Sequence, residues 1–229
     1  MWTVTVGGRE LAVENEGEIS GDEHSIRLPR RCKLLETFDD RLLVLVYPES
    51  NEITDPDIEV PEDRNVVAIT PDCTHAWTVE SLRDPDTEQY YRRSYLLGSR
   101  VILRSKTGHF YEIDPETGER LADWPETEFQ FADRTVSFAP AEVGPPEWYD
   151  GKIIFRTSDS MMYGFEPDGT KLWERETEAD WHLEAGEEKF GLWIEPRMGM
   201  KMEFRLDTET GKIVEQTYGA GVGEKYVDE

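Results

Sequence analysis

The sequence predicts an all-β chain, and three observations carry that expectation. Apolar residues come in runs of four to seven, rich in Val, Ile, Leu, Phe, Tyr and Trp. Gly, Pro, Asp and Asn punctuate the runs, and no stretch sustains the 3.6-residue period of an amphipathic helix. Only DPDTEQYYRRSYLLGS, residues 84–99, tempts a helix, and its apolar spacing is irregular. At 229 residues the chain can bury a substantial core.

The elements follow in order. WTVTVGGRELAVE, residues 2–14, reads as a hairpin turning at Gly7 and Gly8. DRLLVLVYPE from Asp40, SRVILRSKTG from Ser99, GKIIFRTSDS from Gly151 and EKFGLWIEPR from Glu188 then each place a basic residue before an apolar run. A second strand, a tight turn and a third strand follow each one: NVVAITPDCTHAWTVES, HFYEIDPETGERLADWP, MMYGFEPDGTKLWERET and KMEFRLDTETGKIVEQT. Candidate first strands precede them at 33–38 (KLLETF), 93–98 (RSYLLG), 146–150 (PEWYD) and 180–185 (DWHLEA). Corresponding residues Ile69, Ile113, Phe165 and Leu206 recur at intervals of 44, 52 and 41. That period, with three to four strands in each, is the signature of a β-propeller blade.

The expectation is therefore a small β-propeller-like domain of four to five blades spanning 1–229, with four repeats within 33–217 and a flexible tail at 218–229. The hairpin at 1–14 either completes a blade with the chain's last strands or caps an open array. A β-sandwich, or an open array of β-meanders, is the alternative for the same strands.

The turns have a mechanism. In DPETGE, Pro115 presets φ, Asp114 can accept a backbone hydrogen bond, and Gly118 supplies the positive φ that lets the next strand return. DTETGK places Gly211 the same way, and the shorter EPDGTK uses Gly169. TPDCTH has no Gly, so its hairpin is expected to be the least regular.

A strand followed by Asp-x-x-Thr-Gly-x-x-x-x-Trp or a close variant, as in EIDPETGERLADW and GFEPDGTKLW, resembles the PQQ-like (quinoprotein-type) β-propeller repeat, in four divergent copies over 33–217. The resemblance implies a hairpin and a Trp packing between blades, at Trp77, Trp124 and Trp173, with Val214 in the fourth copy. The family's enzymes would need an adjacent cysteine pair and a calcium site of Glu, Asn and Asp. Cys32 and Cys73 are 41 positions apart, and the chain is about half the length that eight blades require. What the resemblance implies is the non-enzymatic branch, in which the propeller is an interaction platform.

Asp and Glu number 50 against 25 Lys and Arg, giving a net charge of −25 spread along the whole chain. This acidic surface resembles that of proteins from salt-in halophiles such as haloarchaea. At molar salt the Debye length falls to about 3 Å and self-repulsion is screened. A mesophile protein that is merely acidic is the plainer alternative. Nucleic acid is excluded as a partner because phosphate recognition needs a basic footprint. No apolar run approaches the ~20 residues that span a bilayer, and the N-terminus lacks a signal-peptide pattern, so neither a membrane nor export is expected and the cytoplasm is the assigned compartment.

No catalytic or metal motif emerges. His24, His75, His109 and His182 form no H-x-x-x-H or H-x-H, the two cysteines read as buried free thiols, and YGAGVGEKY precedes no helix. Two segments interrupt the acidity: RLPRRCK at 27–33 and YYRRSYLLGSRVILRSK at 90–106. Arg beside Tyr is the composition enriched at protein interfaces, and the candidate partner-binding residues are Arg30, Arg31, Tyr91, Arg92, Arg93 and Tyr95. The plainer reading is that these arginines neutralise neighbouring carboxylates. WHLEAGEEKFGLW, 181–193, adds three large aromatics.

The leading functional reading is a non-enzymatic protein-interaction or scaffold module, without cofactor, acting on an unidentified protein partner. The alternatives are a carboxylate-dependent hydrolase or sugar-binding propeller, and a self-assembling homo-oligomer that pairs open strand edges.

Overall fold

The computed structural model describes residues 1–38, 40–82, 90–177, 181–185, 190–194 and 202–218, with backbone alone at 181–185, 190–194, 202–204 and 215–218. The chain divides into two compact units, one of residues 1–96 and 100–123, the other of 97–99 and 124–229.

The first unit holds three four-stranded antiparallel sheets, each with its strands adjacent in chain order. These are β1 (Trp2–Val6), β2 (Arg9–Val13), β3 (Glu18–Ser20) and β4 (Ser25–Arg27); β5 (Cys32–Thr37), β6 (Leu42–Val46), β7 (Val66–Ile69) and β8 (His75–Thr78); and β9 (Tyr91–Leu97), β10 (Arg100–Ser105), β11 (Phe110–Ile113) and β12 (Arg120–Trp124). A 3-10 turn at Glu62–Arg64 precedes β7. The second unit holds the pair β13 (Glu128–Gln130) and β14 (Thr135–Ser137) and two more four-stranded sheets. These are β15 (Glu147–Tyr149), β16 (Lys152–Arg156), β17 (Met161–Phe165) and β18 (Lys171–Glu176), then β19 (Trp181–Ala185), β20 (Phe190–Ile194), β21 (Met202–Leu206) and β22 (Ile213–Tyr218). The four sequence repeats thus form four sheets. The helix-like stretch from Tyr91 is strand β9.

The N-terminal hairpin is completed by strands the sequence reading overlooked. β3 and β4 extend β1 and β2 into a sheet of their own, so the hairpin does not borrow the chain's last strands. Each added strand has three residues and one buried apolar side chain, Ile19 or Ile26, too little for a periodic signal.

The LLVLV run of β6 is apolar throughout because both its faces are buried. Leu42, Val44 and Val46 pack into a cluster with Val6, Leu11 and Ile19 of the first sheet. Leu43 and Leu45 join Tyr91, Val101 and Leu103 of the third. In the second unit, Phe129, Phe131, Phe138, Phe155 and Phe165 form a chain of ring contacts with centroids 4.7–6.1 Å apart.

The hairpin turns behave as their chemistry dictates, with one correction. Asp114 and Asp168 each accept the backbone N–H two residues on, at 2.7 Å, and Asp207 accepts from Glu209 and Thr210. Gly118, Gly169 and Gly211 all hold φ between 67° and 85°. TPDCTH is no less regular: Cys73 takes the left-handed position at φ 56°, with the same two backbone bonds as the Gly169 turn. Its β7–β8 ladder shifts register just before the turn, as β17–β18 and β21–β22 do.

Glycine is required at 118 and 211 for a further reason. A Cβ at Gly118 would stand 2.5 Å from the ring of Trp77, and one at Gly211 2.5 Å from that of Trp173. Each indole N–H donates to the carbonyl three residues before that glycine, Trp77 to Pro115 (3.2 Å) and Trp173 to Thr208 (2.7 Å). The last strand of one sheet thereby docks its Trp on the turn of the next. Gly169 is covered by Phe131 instead, at 2.9 Å, and Phe131 meets Trp124 through Phe129. β4, the last strand of its sheet, carries no Trp, and at the Cys73 turn a side chain is tolerated.

Candidate functional site

Arg30 and Arg31 lie in the connection from β4 to β5. Arg30 is mostly buried and its guanidinium is spent on the long β6–β7 connection, which carries SNEITDPDIEVPED (50–63) as an insertion relative to the other repeats: it bonds Glu62 (2.9 Å), Glu52 (3.2 Å) and the Pro48 carbonyl (2.9 Å). The insertion continues along β4: Ile53 donates to Pro29, Asp57 donates to Arg27, and the Asp57 carboxylate accepts the Arg27 N–H. Ile58 and Val60 pack on the first core cluster. The insertion covers a sheet edge, and Arg30 clamps it. Arg31 is exposed and its N–H donates to Ser50 Oγ at 3.1 Å.

The other four candidates belong to β9. Tyr91 and Tyr95 turn inward, at 1% and 9% exposure, so neither ring offers surface to a partner. Tyr91 packs edge-on against Tyr111 at 5.5 Å and donates its hydroxyl to the Glu80 carbonyl; burial pushes the phenols of Tyr91 and Tyr95 up. Arg92 and Arg93 are exposed. Arg100 follows the neutralising reading, forking onto Glu112 (2.9 and 2.7 Å), whereas Arg104 lies over the Phe110 ring at 5.3 Å and donates to the Gly108 carbonyl at 3.3 Å.

Arg92 and Arg93 border an open hollow of about 200 Å³, together with Tyr47, Glu49, Asn65 and Tyr90. Asn65 is 1% exposed and fixes the start of β9: its side-chain amide donates to the carbonyls of Val46 (3.1 Å) and Tyr91 (2.9 Å), and its oxygen accepts the Tyr91 N–H (2.8 Å). The Tyr90 hydroxyl donates to Glu49 at 2.5 Å. Lys106 stands 5.0 Å from the Tyr90 ring centroid and 3.5 Å from Glu49. The Tyr90 hydroxyl, then Lys106 and the field of Arg92, hold the Glu49 carboxyl below its usual range, while Glu49 pushes the Tyr90 phenol up. Sequence reading missed Tyr47, Glu49 and Asn65, which lie outside the 90–106 run, and did not single out Lys106 within it. The one available signal was the run of cations and tyrosines from 90 to 106.

A second hollow, about 210 Å³, is lined by Arg9, Glu10, His24, Asp72 and Cys73. Arg9 pairs with Asp72. Burial pushes the Cys73 thiol up, which disfavours a nucleophilic thiolate. Both cysteines are free and buried, and Cys32 is pushed up to about 12. They sit in β5 and in the β7–β8 turn, so they do not fit the adjacent pair that a quinone cofactor would need. His75 bonds Thr78 and His109 bonds Asp123. Among the described residues no three of His, Cys, Asp and Glu are grouped to hold a metal. The side chains of 181–193 and the tail beyond 218 lie outside the described residues.

A family model described as a domain of unknown function (DUF7957) matches residues 1–123. No curated protein matches in sequence. Among solved structures, BamB from Moraxella catarrhalis is similar at TM-score 0.52 and 11% identity, covering 95% of this chain and 72% of BamB. The quinohemoprotein alcohol dehydrogenase from Comamonas testosteroni is similar at 0.54 and 12%, covering 96% of this chain and 43% of the enzyme. KlAtg21, solved in complex with the coiled coil of AgAtg16, is similar at 0.51 and 11%, covering 95% and 70%. With its five four-stranded meanders among the described residues, the chain has an all-β fold of the β-propeller type, and the BamB and quinohemoprotein likenesses support a propeller of the PQQ-like kind. Among the described residues no helix is long and apolar enough to cross a membrane.

Proposed function

The chain belongs to the DUF7957 family, and we propose that it is a non-enzymatic protein-interaction or scaffold module, with the exposed Arg92–Arg93 pair of β9 at the centre of its partner-binding surface. The observation that carries this is the exposed arginine pair beside a tyrosine-lined hollow, on a chain of net charge −25. Sheets buried on both faces make a rigid frame, and the hydrogen-bonded Asn65 fixes the strand that bears the pair. Arg and Tyr supply contact area and directional bonds at little entropic cost, which is why interfaces concentrate them. The KlAtg21 complex supports the reading by example, since a chain of this fold there meets a protein partner.

The working environment belongs to the same proposal: the cytoplasm of a salt-in halophile, where about 1 M salt shortens the Debye length to about 3 Å and relieves the repulsion of 50 carboxylates. Affinity capture from source cells in concentrated KCl tests the interface. Wild type should recover a defined protein that the Arg92→Glu/Arg93→Glu variant loses; equal recovery by both refutes the assignment. Light scattering on the same preparation separates a foreign partner from a second copy of this chain.

A further inference from the structure

We propose that the hollow beside β9 is a receptor for a carboxylate side chain of an acidic partner segment, and that Glu49 is the internal carboxylate the incoming one displaces. The inference rests on the interaction reading and adds the partner's chemistry. Size comes first. At about 200 Å³ the hollow is smaller than the roughly 300–1,000 Å³ of small-molecule sites, and it suits one side chain better than a cofactor.

Charge is the second ground. Arg92 and Arg93 border the hollow and Lys106 stands at Glu49, a local excess of cations on a chain with twice as many acids as bases. Guanidinium forks match the two oxygens of a carboxylate, and the Tyr90 hydroxyl adds a neutral donor. The third ground is direct: a carboxylate already occupies part of this donor set. Glu49 accepts from Tyr90 at 2.5 Å and pairs with Lys106 at 3.5 Å, while its own side chain is 70% exposed and free to swing out. Tyr47, 40% exposed, offers an apolar ring beside the hollow for the rest of the segment.

The test uses the full chain and a fluorescein-labelled peptide of alternating Glu and Gly, with a Gln-Gly peptide as control, read by fluorescence anisotropy at about 0.15 M and about 1 M KCl. The Glu peptide should bind and the Gln peptide should not. Arg92→Ala/Arg93→Ala should weaken binding about tenfold or more, the loss expected for charge-assisted bonds. Glu49→Gln should tighten it about two- to fivefold by removing a competing surface ion pair. All three substituted side chains are exposed, so folding is not at risk. Equal binding of both peptides, indifference to the arginine change, or weaker binding by Glu49→Gln overturns the proposal. Displacement of the peptide by inorganic phosphate at equal carboxylate concentration overturns it in favour of a phosphate site. If the Arg92→Glu/Arg93→Glu variant loses its cellular partner while wild type ignores the Glu peptide, the interface stands and the carboxylate receptor falls. If the peptide binds through the arginines but cellular capture is unaffected, the receptor stands and the scaffold reading falls.

Discussion

Alanine at Gly118 separates two costs that the turn combines. An L-residue at φ +74° costs about 1–2 kcal/mol in the left-handed region. The new Cβ would also lie 2.5 Å from Trp77 Cε3, in a ring that is 8% exposed and tied by its N–H to Pro115, so it cannot retreat cheaply. Overpacking of this kind costs about 1–3 kcal/mol, for a total of about 2–5. Gly8 is the internal control, because it holds φ +77° and an alanine methyl there would meet nothing within 4 Å. Gly8→Ala should therefore cost only about 1–2 kcal/mol. Urea denaturation followed by far-UV circular dichroism at fixed salt measures both. Gly118→Ala should exceed Gly8→Ala by about 1–3 kcal/mol, and the excess should vanish when both are compared in a Trp77→Ala background. Equal costs in the wild-type background would refute Trp docking as the reason for the glycine.

Other expectations concern polar groups within the sheets. Burial raises the Glu36 carboxyl above its unfolded value, so its favourable contribution is complete below the unfolded pKa and is lost as pH rises through the folded one. Glu36→Gln should raise the urea midpoint at pH 7 and leave it nearly unchanged in acid; a lower midpoint at pH 7 would contradict the sign. Asn65→Ala leaves the Tyr91 N–H and two carbonyls without their buried partner and should cost about 2–4 kcal/mol by the same assay, where a loss below about 0.5 would show that the amide is not tying β9 in place.

The strands and turns were legible in the sequence because their determinants are local. Asp114, Pro115 and Gly118 specify a turn wherever they occur together, and LLVLV, a short apolar run bounded by turn residues, suits a buried strand. What escaped was either too short or too distributed. β3 and β4 each carry one apolar residue, and β13–β14 fell between repeats. The β9 segment announced its arginines but not its orientation: in a sheet with two buried faces, alternation does not tell Tyr91 from Arg92. Arg30 looked available until the insertion supplied Glu52 and Glu62. The hollow joins Glu49, Asn65 and Tyr90 from three separate segments, and no local pattern links them.

The most direct test of the account places a photo-crosslinking amino acid at position 92, beside the hollow, and at position 121, where Leu121 is 61% exposed on β12. Irradiation in source cells should give one discrete adduct to another protein from position 92 and none from position 121. Adducts of the same identity from both positions, or none from position 92, would contradict the assignment of the arginine pair to the working surface.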